Sequence, residues 1–102
     1  KGNINGSVTG NGSRGIRGKK CTKVTDTTKN GGFLDFKGTN VTLVVSGGTY
    51  TADQSKCFGI KADQTLTQAA GDISITVSNS AATGIQAATD TWTGGTRNGV
   101  TK

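Results

Sequence analysis

The sequence predicts an all-β fold assembled from stacked repeats, and three observations predict it. A tetrapeptide recurs: Gly59-Ile60-Lys61-Ala62 is echoed 25 residues later by Gly84-Ile85-Gln86-Ala87, and an earlier copy, Gly15-Ile16-Arg17-Gly18, stands 44 residues before Gly59. Apolar residues alternate with polar ones over short runs, as in Ile73-Ser74-Ile75-Thr76-Val77. Composition disfavours helices, because 17 of the 102 residues are Gly and the apolar residues show no sustained helical spacing. A period near 25 residues with three short strands in each is what one coil of a parallel β-helix looks like in sequence, and the chain holds about three to four coils. An antiparallel β-sandwich also explains the strands and turns but leaves the recurrence as coincidence.

The elements follow in order on that reading, within a single solenoid domain spanning 1–102 or an excised fragment of one. A partial coil, 1–14, holds Ile4 and Val8, which precede Ile16 as Ile73 and Val77 precede Ile85. The coil 15–58 carries an insertion of about 19 residues, expected within Cys21–Asn40, with Phe33 and Phe36 covering a sheet edge or an end of the stack. Val41-Thr42-Leu43-Val44-Val45 is a strand, and Gly47-Gly48-Thr49-Tyr50-Thr51 is a turn with a short strand leading to Ile60. The coil 59–83 and the partial coil 84–102 contain Thr65-Leu66-Thr67 and Thr91-Trp92-Thr93 as matching minimal strands. Trp92 then takes the place of Leu66, and Tyr50 that of Ile75, so both aromatics are expected to face inward. Glycine at the corners supplies the positive φ of tight bends, and Ala62 and Ala87 stack in the interior. No polar cap is evident at either end.

Charge and composition exclude several functions. Lys+Arg is 12 against six Asp and no Glu, a formal charge of +6. With no His, there is no Ser-His-Asp triad, Cys-His dyad or His-ligated zinc. No apolar run is long enough for a membrane span. On stacked coils, Arg17 and Lys61 fall on equivalent positions, with Gln86 third, and Lys56 lies just before the same turn. Such a basic row attracts an anionic polysaccharide, and Arg pairs bidentately with carboxylates. Solvated surface charge is the plainer alternative. Nucleic acid is disfavoured because aromatic and basic residues are not interleaved. Tyr50 or Trp92, if it faced outward, would be a platform for a sugar ring, though alternation places both inside. Cys21 and Cys57 stand where adjacent coils could bring them together. They are read as a disulfide in an oxidising compartment or as two unpaired thiols.

The stretch Val41-Thr-Leu-Val-Val-Ser-Gly-Gly-Thr-Tyr-Thr-Ala-Asp53, with Gly59-Ile-Lys-Ala-Asp-Gln-Thr-Leu-Thr67, resembles the bacterial carbohydrate-binding β-helix family of clostridial and gut-bacterial surface proteins. The resemblance covers about 41–88 well and the ends loosely. It implies a right-handed parallel β-helix, secreted or at the cell surface, that binds polysaccharides, including acidic pectin-like ones. It also implies structural calcium held by Asp near the Gly-Ile-Lys-Ala turns, for which Asp53, Asp63 and Asp72 are the candidates here. The chain departs from the pattern where Arg14, Phe58 and Thr83 precede Gly-Ile, positions often held by Asp. Calcium asks for six to eight oxygens, so those three carboxylates serve only if they converge.

Two functions are therefore expected. One is an extracellular, non-catalytic polysaccharide-binding module using Arg17, Lys61, Lys56 and Tyr50. The other is a structural subunit or segment of a surface fibre or adhesin, a homo-oligomer or filament joined through β-edges. Polysaccharide lyase chemistry also lives on β-helices, but Lys61 and Asp63 alone support it thinly.

Overall fold

The computed structural model describes residues 2–19 and 31–99, and the fold is all-β with parallel-stranded sheets. Its strands are β1 (Asn3–Val8), β2 (Arg14–Gly18), β3 (Phe33–Lys37), β4 (Asn40–Val45), β5 (Phe58–Ala70), β6 (Asp72–Val77), β7 (Thr83–Trp92) and β8 (Thr96–Asn98). One sheet runs β1-β4-β6-β8. In the other, β5 pairs with β2 along its first half and with β3 along its second, while β7 follows it on the opposite side. Every pairing between these strands is parallel. The one antiparallel contact among the described residues is the isolated bridge between Tyr50 and Ser55, so the antiparallel sandwich is excluded.

Parallel register puts the sequence echoes side by side. Ile16, Ile60 and Ile85 are direct partners across β2, β5 and β7, and Gly18, Ala62 and Ala87 form the next row. Between the sheets, Val41, Val45, Ile60, Leu66, Ile73 and Ile75 are essentially inaccessible. In β4 every second residue is buried, which is how one strand serves both core and solvent.

Register also corrects the insertion. Partners are 37 residues apart from β1 to β4 (Ile4 and Val41), 44 from β2 to β5 (Ile16 and Ile60), 32 from β4 to β6 (Val41 and Ile73) and 25 from β5 to β7 (Ile60 and Ile85). Against the 25-residue repeat, 12 extra residues therefore lie between Gly18 and Phe33, and seven between Val45 and Phe58. Phe33 and Phe36 are not in an insertion, since they belong to β3, a regular paired strand. Gly47–Thr51 is not the strand before Ile60 either. That role falls to β4, and Tyr50 lies in the extra loop.

Glycine has two distinct uses. Gly38, Gly71 and Gly95 have positive φ and stack at the corner leading into β4, β6 and β8. Gly15 and Gly59, in the recurring tetrapeptide, do not have positive φ, contrary to the corner role expected of them. A Cβ on Gly59 would lie 2.8 Å from the Gly84 carbonyl oxygen and 3.2 Å from Val45 Cγ2. A Cβ on Gly15 would meet the Gly59 oxygen and Val8 in the same way. Here glycine is required by two approaches at once, the carbonyl of the next strand in the same sheet and a valine of the facing sheet.

Candidate functional site

Strand β2 places Arg17 beside Lys61 on β5, and β7 places Gln86 beyond it. Parallel neighbours lie about 4.8 Å apart, so three long side chains on one face reach one another. Lys61 Nζ donates to Gln86 Oε1 at 2.8 Å. Asp63, two residues along β5, draws both cations: Arg17 Nη2 is 3.3 Å and Lys61 Nζ 3.7 Å from its Oδ1. The Lys61 ammonium also stands 5.3 Å from the centre of the Phe58 ring, and the Arg14 guanidinium 5.5 Å from it. Phe58 is only 6% exposed, so these cations shield an outlying apolar ring from water. Arg17 and Lys61 share one carboxylate, Asp63, so the row keeps a net positive charge, while Arg14 donates to the Gly12 oxygen at 2.7 Å.

The other sequence candidates do not join this row as one site. Lys56 and Tyr50 lie in the loop between β4 and β5, both exposed. Tyr50 is 51% exposed and does not face inward. The loop is instead held by its own backbone, through Tyr50 N–H to the Ser55 oxygen at 2.8 Å.

The expected calcium set is not assembled. Asp53 accepts the Ser55 N–H at 2.9 Å within the loop, and bonds from Ser55 hold its carboxyl below the ordinary carboxylate value. Asp63 serves Arg17 and Lys61. Asp72 opens β6, where it accepts the Thr96 hydroxyl at 2.7 Å in a line of polar side chains with Asn40 and Asn3. Each carboxylate is committed at a different place. Among the described residues no group of three His, Cys, Asp or Glu is arranged to hold a metal. The disulfide is corrected too. Cys57 is a free thiol, wholly buried among Val8, Val45 and other core residues, while Cys21 lies outside the described residues.

A second cluster escaped the sequence reading. Trp92 pairs with Gln68 and Asp90 with Leu66, because the register shifts by one between Ala62 and Thr65. The repeat thus puts Asp90, not Trp92, at the position of the buried Leu66. Arg97 on β8 is the partner of Ile73 in the other sheet and answers that carboxylate. It bonds Asp90 with both terminal nitrogens at 2.7 and 2.8 Å, and its Nε donates to Gln68 Oε1 at 2.7 Å. Gln68 is fully buried, and its amide nitrogen donates to the Gly71 and Thr96 oxygens. Arg97 holds Asp90 below the ordinary carboxylate value, chiefly by hydrogen bonding. A polar cap therefore closes the apolar column of Val41, Ile73 and Leu66, where none was evident in the sequence. An acid in a leucine row was the available signal, but it depends on a register that a one-residue shift concealed.

Compared with protein-family models, curated proteins and solved structures, the chain matches none. No helix among the described residues is long and apolar enough to cross a membrane.

Proposed function

We propose that this chain is a right-handed parallel β-helix acting, at the cell surface or secreted, as a non-catalytic module that holds an acidic polysaccharide. The observation that carries the reading is the row Arg17–Lys61–Gln86 on three adjacent parallel strands. Repeating side chains on a flat sheet suit a repeating polymer, and Arg and Lys suit its carboxylates. The solenoid is supported by rows in which each repeat contacts only its neighbours. Retention on immobilised polygalacturonate tests the function. Arg17→Ala with Lys61→Ala is expected to weaken binding about 10-fold, and added salt to weaken the wild type further. Unchanged retention of the double variant would remove the row as the site.

A second reading, assembly through β-edges into a fibre, is favoured by one observation. Ile4 on β1 and Phe33 on β3 are 40% and 57% exposed at the same edge of the two sheets. Apolar side chains beside strand edges that have no partner among the described residues favour stacking of a second copy. Sedimentation velocity over a range of concentrations is expected to show association on this reading, abolished by Ile4→Lys. A single monomeric species at every concentration would exclude it.

A further inference from the structure

We propose that Trp92 and Asp90 form a second saccharide subsite, a stacking platform for one pyranose ring at the capped end of the repeats. The inference rests on the polysaccharide-binding reading and adds a place and a chemistry to it. The indole is 52% exposed, yet its position is over-determined. The Arg97 guanidinium lies 4.7 Å from the ring centre, and Nε1–H points to the Gly95 oxygen at 3.4 Å. Arg97 cannot swing away, because Asp90 and the buried Gln68 grip it and its side chain is only 7% exposed. A large amphipathic ring is thus held rigid while half of it faces water, so a ligand stacking on it pays little ordering entropy.

The surroundings select the ligand class. Asp90 already compensates Arg97, which leaves no uncommitted cation in the cluster for a phosphate or carboxylate. Asp90 is 39% exposed, and each carboxylate oxygen keeps a lone pair after bonding Arg97. A flat ring with C–H groups on its face and hydroxyls at its rim meets both features: the face stacks on Trp92, and a hydroxyl donates to Asp90. That is a pyranose unit of a polysaccharide.

Trp92 is the sole tryptophan of the chain, so its emission reports the subsite directly. Titration with hexagalacturonate and, separately, cellohexaose is expected to change that emission saturably with at least one of them. Trp92→Ala should weaken binding of the same oligosaccharide by about 10-fold, and Trp92→Phe should restore most of it. Emission of the wild type needs no variant to fold, so the test survives an unstable Trp92→Ala. If polygalacturonate is retained but emission never moves and Trp92→Ala binds normally, the subsite is refuted while the binding function stands. If no polysaccharide is retained and neither oligosaccharide moves the emission, both fall.

Discussion

Gly59→Val is expected to unfold most of the molecule at temperatures the wild type survives. The first atom of the new side chain would sit 2.8 Å from the Gly84 carbonyl oxygen, 3.2 Å from Val45 Cγ2 and 3.3 Å from Ile75 Cδ1. The nearest of these is backbone within a paired row, which cannot rotate aside as a flexible side chain would. Overpacking of this kind costs about 3 kcal/mol. In a domain of this size that lowers the melting temperature by roughly 10–20 °C. Thermal unfolding followed by far-ultraviolet circular dichroism measures it. Gly2→Ala is the control, since nothing lies within 4 Å of its added carbon, and its melting temperature should match the wild type. Equal melting temperatures for Gly59→Val and the wild type would refute the close packing around Gly59.

Arg97→Ala is expected to be the second most damaging change, at about 2 kcal/mol near neutral pH. It strands the Gln68 oxygen inside the core and leaves Asp90 without its partner. Solvent around the half-exposed carboxylate keeps the loss below that of a wholly buried pair. The loss should depend on pH with a definite sign. Arg97 holds the Asp90 carboxyl below its ordinary value of 3.8, so the ion pair favours the folded state above that pH. As pH falls through the lowered folded value, Asp90 is protonated in both states and its contribution disappears. The difference between wild type and Arg97→Ala in urea unfolding should therefore narrow between pH 5 and pH 2. A gap that stays constant over that range would mean that Asp90 does not couple to Arg97.

These two sites show how differently the sequence exposes its content. The repeat was legible because parallel pairing stacks like on like. A row such as Ile16–Ile60–Ile85 imposes the same demand on every member, so the residues echo one another along the chain. The row Arg17–Lys61–Gln86 followed directly from that echo. The misplaced features lie where the repeat is interrupted. Tyr50 was expected inside because alternation was carried across the seven-residue excess, and Trp92 because it was matched to Leu66 instead of Gln68. Trp92 keeps the phase of the buried Leu66 and Gln68, and it is 52% exposed because β7 is the outermost strand of its sheet among the described residues.

Asp53, Asp63 and Asp72 were grouped by proximity to one motif, yet each spends its oxygens on a nearby donor, so no shared site forms. Cys57 lies in a core that spacing alone could not locate. All-β character, parallel stacking and the basic row were thus present in the order of residues, because equivalent positions of successive strands carry matching residues even where their offset varies from 25 to 44. The split of the extra residues, the closeness of the sheets at Gly59 and the cap of Asp90, Gln68, Trp92 and Arg97 were settled only in three dimensions. Each depends on side chains from different strands, and often different sheets, meeting across the core. No periodicity along one chain segment encodes such a meeting.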